Sequence, residues 1–106
     1  MPSKYGNRKT VVDGIIFASA KEARRYGELK LLARAGEIRD LALQPRYPII
    51  VGETTIAHYL ADFTYVEAAS GVQIIEDVKS EATRKLPVYR LKVKAMRAMG
   101  LNVVEV

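Results

Sequence analysis

Asp77-Val78-Lys79, an acid, one spacer and a lysine, closes the apolar run that begins at Ile74-Ile75. A lysine beside carboxylates has a defined use in hydrolysis. Its ammonium can orient an attacking water or stabilise negative charge gathering on a phosphorus. The motif alone is weak. With 8 lysines and 12 acids in 106 residues, chance supplies about 0.9 such matches. The other match, Glu28-Leu29-Lys30, lies in a helical stretch, where side chains two apart do not face each other. Only Asp77-Val78-Lys79 remains a candidate.

The neighbouring chain supplies it with partners. His58 to Glu67 and Val72 to Lys79 read as two strands joined through Ala68-Ala69-Ser70-Gly71. A tight loop centred on Ala69-Ser70 sets Asp62 directly opposite Asp77, and Leu60 opposite Lys79. Opposed residues project to one face. Alternation puts Asp77 and Lys79 on that face and Glu76 on the other. Facing carboxylates repel, and either a divalent cation or full solvation relieves them. Ile74, Ile75 and Val78 around Asp77, with Leu60, Ala61 and Phe63 around Asp62, favour a half-buried face and therefore the cation.

Other elements must position this hairpin. Thr10 to Phe17 reads as a small hairpin turning at Asp13-Gly14. Ser19 caps a helix that runs to about Ala35 and stops at Gly36. Glu22, Tyr26, Leu29 and Ala33 share one stripe of it. Glu22 is thus a third acid at the end of the inward face, or else only the third residue of a capping box bonding the Ser19 amide. Ile38 to Leu43 alternates as a strand. Tyr47 to Val51 reads as an edge strand, because Pro48 cannot donate to a central ladder. Pro87 opens a second helix, which ends at Gly100. Val88, Leu91, Ala95 and Met99, flanked by Tyr89 and Met96, are its expected apolar face. Leu101 to Val106 is a last strand. The expectation is a single α/β domain with a mixed sheet, ordered helix, three or four strands, helix, strand, behind an N-terminal β-hairpin.

Composition narrows the chemistry. The chain has no cysteine and one histidine, His58. Thiolate and multi-histidine metal sites are excluded, so any metal would take oxygen ligands, as Mg²⁺ or Mn²⁺ does. No apolar run has the ~18–20 residues of a membrane span, and no signal-peptide pattern opens the sequence; a cytoplasmic setting is expected. The net charge of +5 is uneven. Lys4, Arg8 and Lys9 form a basic arm over residues 1–9. Residues 10–78 carry seven bases and ten acids, and residues 79–97 carry seven bases against Glu81 alone. An acidic middle between basic ends fits a polyanion partner with a metal site between, although a solvated helix face would look similar. Thr83, Arg84, Lys85, Arg90, Lys92 and Lys94 are candidate phosphate contacts beside Lys4, Arg8 and Lys9. His58 reads as structural or close to nucleic acid, and Phe63 and Tyr65 as core.

Asp62, a hairpin and then Asp77-x-Lys79, preceded by Glu22 on a helix, resemble the PD-(D/E)XK nuclease superfamily. Lys4-Tyr5-x-Asn7-x-Lys9-Thr10, Asp13-Gly14-x-x-Phe17-x-Ser19-x-x-Glu22-x-x-Arg25-Tyr26-x-x-Leu29, and Glu76-Asp77-Val78-Lys79 with Thr83 and Arg90-Leu91-Lys92 are similar to a small phage and prophage family of resolvase-like endonucleases within it. The likeness extends over nearly the whole chain and lies in the combination of motifs. It implies a restriction-endonuclease-like αβββαβ core. It also implies Asp62, Asp77, Glu22 and the Val78 carbonyl as Mg²⁺ (or Mn²⁺) ligands, with Lys79 as the catalytic lysine. The implied activity is endonucleolytic hydrolysis of DNA to a 5′-phosphate by a homodimer, on branched substrates such as Holliday junctions, in phage DNA recombination, replication or packaging in a bacterial host. Ala61 stands where the superfamily name has proline, and Asp77 is the aspartate variant of the second acid. A Gln-x-x-x-Tyr element on the second helix is absent, which argues against an exonuclease of that branch. The alternatives are a DNA-binding module that kept the fold without catalysis, or a nuclease for RNA or damaged DNA.

Overall fold

The computed structural model describes residues 9–106, so Lys4 and Arg8 lie outside the described residues. Asp13 and Gly14 take φ of 53° and 74° and turn β1 (Thr10–Val12) onto β2 (Ile15–Phe17). Two consecutive positive φ values are what a two-residue I′ turn requires. Tyr26 and Lys30 of the following helix both donate to the Asp13 carboxylate and hold the turn down.

Helix α1 (Ala20–Arg34) begins where the Ser19 hydroxyl accepts the Glu22 amide at 3.1 Å. It ends in a glycine-based reversal. Gly36 at φ 77° donates to Ala33, and Glu37 donates to Leu32, satisfying two carbonyls left open at the helix end. Ser19→Ala should cost about 1 kcal/mol in denaturant unfolding, because the Glu22 amide loses its acceptor. An unchanged midpoint would show that the cap does not hold the turn that carries Glu22.

Next come β3 (Ile38–Leu43), β4 (Arg46–Val51), β5 (Thr54–Leu60), β6 (Phe63–Glu67) and β7 (Gln73–Asp77). Helices α2 (Glu81–Arg84) and α3 (Pro87–Ala98) lead into β8 (Val103–Glu105). The central sheet is mixed, in the order β3-β6-β7-β8, with β8 parallel to β7 and the other pairs antiparallel. Strands β4 and β5 form a separate hairpin inserted between β3 and β6. Among the described residues the result is an α+β fold with a mixed sheet and three helices. Among the described residues no helix is long and apolar enough to cross a membrane.

Each face of the central sheet carries its own core. Phe17, Tyr26, Leu29, Ile38, Phe63, Tyr65 and Ile74 pack with α1; Ile49, Tyr59, Ile75, Val93, Met96 and Val103 pack with α3. Alternation along β7 therefore decides which core each side chain enters. Ile74 and Val78 join the α1 core, and Ile75 joins the α3 core.

The hairpin register agrees with the sequence reading, with Phe63 paired to Glu76 and Val66 to Gln73. The expected single strand from 58 to 67 is instead two strands in two sheets. The chain breaks at Ala61-Asp62, where the Ala61 amide donates to Pro45 and the Asp62 carbonyl accepts from Gln44. Leu60 consequently pairs with Arg46, not with Lys79. The face of α3 is also rotated from expectation. Val88 and Leu91 are 66% and 68% exposed, while Val93 and Met96 are buried. Tyr89, Val93 and Met96, at i, i+4 and i+7, form the stripe that meets the sheet. The turn of helix at α2, absent from the sequence reading, stands between β7 and α3 and is capped by Ser80.

Candidate active site

Asp77 is the last residue of β7 and is 0% exposed. One residue past its final partner pair, the ladder closes through the Asp62 side chain. The Asp62 amide donates to the Glu76 carbonyl at 3.1 Å, and the Val78 amide donates to Asp62 Oδ2 at 2.7 Å. The Asp62 carboxyl is thereby fixed against the end of β7. Asp77 is close enough that its charge helps to push the Asp62 carboxyl up.

Lys79 lies just beyond the strand, on the Asp77 face, with Nζ 3.0 Å from Asp77 Oδ1. Tyr59, from β5, donates to the other oxygen, Oδ2. Glu22 reaches the same region from the first turn of α1 and is buried. Ser19, Lys21, Glu22, Asp62, Lys79 and Thr83 line a cavity of about 440 Å³ at this point. A second cavity, of about 370 Å³, lies against Asp77 and Lys79 from the other side, where Tyr59, Tyr89, His58 and Lys92 contribute to its wall.

The electrostatics are those of crowded acids around one cation. Burial, together with the hydrogen bond and charge of Asp77 and the charge of Glu22, pushes Asp62 up to about 7, against the stabilising Val78 amide. Glu22 is also raised, chiefly by burial and then by Asp77, while Lys79 and a backbone hydrogen bond from Ala18 oppose the shift. Burial pulls the Lys79 ammonium down, but Asp77, Asp62 and Glu22 outweigh it and hold it above its ordinary value. Lys79 is therefore a protonated, 26% exposed cation facing three carboxyl groups.

Glu76 turns the other way. Its carboxylate, 0% exposed, accepts from Arg25 Nε at 2.5 Å, Arg25 Nη2 at 3.0 Å and Tyr65 Oη at 2.7 Å. Its hydrogen bond and then its charge raise Arg25, and burial with the Glu76 bond pushes Tyr65 up to about 12. The more conspicuous acid of Glu76-Asp77 is thus tied into the contact between α1 and the sheet.

The candidate phosphate contacts separate into groups. Thr83 lines the larger cavity. Arg84, Arg90 and Lys94 gather on the far side of Tyr89. Lys85 pairs with Glu81 at 3.6 Å, and Lys92 donates to the His58 carbonyl at 2.9 Å. Lys9 is exposed ahead of β1. Val78 is buried in the α1 core and enters the site through its amide.

A match over residues 2–104 decides the family. The chain belongs to the DUF1064 family of proteins of unknown function. No curated protein and no solved structure matches it. The family match covers the whole of the site, from Glu22 to Lys79.

Three participants were not legible from the sequence. The sequence pattern places Tyr59 on the same strand as Asp62; only the break at Ala61 sends it back over Asp77. Tyr89 lies with Lys79 Nζ 5.8 Å from its ring centroid and donates to Glu105 at 2.9 Å. Its helical spacing with Val93 and Met96 was the available signal. Arg25 follows Arg24 in a run of charges, and nothing local distinguishes it as the partner of Glu76.

Proposed function

We propose that this protein is a metal-dependent endonuclease that hydrolyses DNA phosphodiesters. The observation that carries the reading is the protonated Lys79, 3.0 Å from Asp77 and facing Asp62 and Glu22, at the edge of an open cavity. The sequence of α1, β3, β6, β7, α3 and β8 around one mixed sheet supports the same reading, because it follows the αβββαβ order of the PD-(D/E)XK superfamily. On that likeness the DNA is branched and two copies act together. The exposed Ile56 and Leu60 of the β4–β5 hairpin are apolar surface that a second copy would cover.

The donor set fits a hard divalent ion. It is all oxygen, the charge of Asp77 reaches and raises the Asp62 carboxyl, and Asp77 Oδ1 is buried with no hydrogen-bond partner beyond its ion pair to Lys79. Among the described residues no three acidic or histidine side chains converge as a ready cage. The Tyr59 hydroxyl and the Val78 amide each occupy one carboxylate oxygen of the pair. Asp62 and Asp77 would hold Mg²⁺ or Mn²⁺, joined by Glu22 and the Val78 carbonyl. A bound ion of this kind acidifies a water and draws charge from a phosphoryl oxygen.

The side chains perform the remaining work. Lys79 orients the attacking water and stabilises the added negative charge at phosphorus. Asp77 and Tyr59 fix the position of that ammonium. Water oxygen bonds to phosphorus as the bond to the 3′-oxygen breaks, leaving a 5′-phosphate and a 3′-hydroxyl. The deciding assay is cleavage of linear, nicked, flapped and four-way DNA with Mg²⁺. Absence of cleavage on all four would sink the proposal.

Metal binding has its own readout. Saturating Mg²⁺ or Mn²⁺ should raise the melting temperature, by about 2.7 kcal/mol of stabilisation at a hundredfold excess over Kd. Asp62→Asn and Asp77→Asn should remove the shift. A wild-type protein indifferent to both ions would count against the ligand assignment.

A further inference from the structure

Arg84, Arg90, Lys94 and Arg97 surround Glu105 in a cavity of about 170 Å³ between α2, α3 and β8. Four cations there share one carboxylate, and their pairing with it is loose. Arg84 Nε stands 3.9 Å from Glu105 Oε2, and Arg97 Nη2 stands 4.0 Å from Oε1, both beyond hydrogen-bonding range. Tyr89 already donates to Oε2, and Arg97 Nη2 donates to the Val103 carbonyl at 2.9 Å. Arg84 Nε is buried and has no hydrogen-bond partner among the described residues. A guanidinium whose enclosed Nε lacks an acceptor, on a side chain 39% exposed, in a cavity with excess positive charge, is suited to an oxyanion. Guanidinium groups match phosphate in both charge and geometry.

The cavity adjoins the candidate active site. Glu105 on β8 is the direct parallel-strand neighbour of Asp77 on β7. Neighbouring strands lie about 4.8 Å apart. Tyr89 spans the interval, with its ring near Lys79 and its hydroxyl on Glu105. A strand crossing the active cleft is therefore close enough to set another of its phosphates among the four cations.

We propose that this cavity is a phosphate-binding subsite that seats a backbone phosphate of the nucleic acid next to the one being cleaved. The identity of its ligand rests on the nuclease reading; the anion chemistry of the cavity does not. Arg84 supplies the buried donor, and Arg90 and Lys94 supply the charge at the rim.

The test uses full-length Lys79→Ala protein without divalent metal, so that binding is measured apart from cleavage. Its nitrogen-15 spectrum is recorded with a short DNA duplex and, separately, with inorganic phosphate. The Arg84 Nε–H resonance should move and saturate with the duplex, and inorganic phosphate should compete for it. In anisotropy titrations, Arg90→Gln with Lys94→Gln should weaken duplex binding by tenfold or more and lower the slope of log affinity against log salt by about two. Arg24→Gln with Arg34→Gln removes the same charge from α1 and should have a much smaller effect. Equal losses from the two pairs, or an Arg84 signal that the duplex leaves unmoved, would overturn the subsite. Saturation by inorganic phosphate with no response to duplex would overturn its assignment to nucleic acid. Cleavage by the wild type is scored separately: cavity-dependent binding without any cleavage removes the nuclease reading and leaves the subsite standing.

Discussion

Lys79→Ala is expected to reduce Mg²⁺-supported DNA cleavage by about 10²–10³-fold, the usual cost of removing one preorganised electrostatic group from a reaction centre. The expected loss is large because, among the described residues, Lys79 is the cation paired with Asp77, and the other lysines beside it are directed at backbone carbonyls. Lys21 is the other lysine of the cavity, but its ammonium donates to the Lys79 carbonyl at 3.3 Å and is directed at the backbone. Removing Lys79 also leaves Asp77, Asp62 and Glu22 without the charge that offsets them. The fold should persist, because the side chain lies past the end of β7 and belongs to neither apolar core. Circular dichroism and a melting curve establish that persistence before rates are compared. If the wild type and Lys79→Ala nick branched and linear DNA at the same rate, Lys79 is not the catalytic lysine.

Glu76→Ala is expected to give the largest loss of stability, about 3 kcal/mol, at the lower end of the range for breaking a buried ion pair from one side. The replacement strands Arg25, which is only 23% exposed, and leaves the Tyr65 hydroxyl without its acceptor. For a domain of this size each kcal/mol moves the melting temperature by about 4–8 °C, so the shift is large enough to read directly. Glu28→Gln is the control. Glu28 also pairs with Arg25, at 3.7 Å, but in solvent, where such pairs contribute little. A Glu76→Ala protein as stable as the wild type would mean that α1 is held to the sheet by apolar contacts alone. These two substitutions separate adjacent features of one strand end: Lys79 is expected to govern rate, and Glu76 stability.

Several parts of the site were readable in advance because they follow local, periodic rules. Strand alternation separated Glu76 from Asp77, and they enter opposite faces as that period requires. The loop length set the register, and Phe63 pairs with Glu76 as it demanded. The helical period brought Glu22 to the buried stripe of α1. The same rules misread the neighbouring stretch. His58 to Glu67 has the composition of one long strand, but buried Ala61 and half-buried Asp62 bond to the β3–β4 connection and to β7 and divide it in two. Likewise, Val88 and Leu91 are apolar at helical spacing, yet the packing of Val93 and Met96 against the sheet fixed the rotation of α3 and left them in solvent.

From the sequence by itself came the bounds of α1 and α3, the register from Phe63–Glu76 to Val66–Gln73, and the separation of Glu76 from Asp77 onto opposite faces. These depend on residues a few positions apart, or on a loop whose length can be counted. The tertiary structure alone decided that Tyr59 bonds Asp77, that Arg25 bonds Glu76 across 51 positions, and that Arg84, Arg90, Lys94 and Arg97 gather around Glu105. Those partners meet only once α1 and α3 are laid on opposite faces of the sheet. That arrangement is set by the fit of two apolar cores, and no local period encodes it.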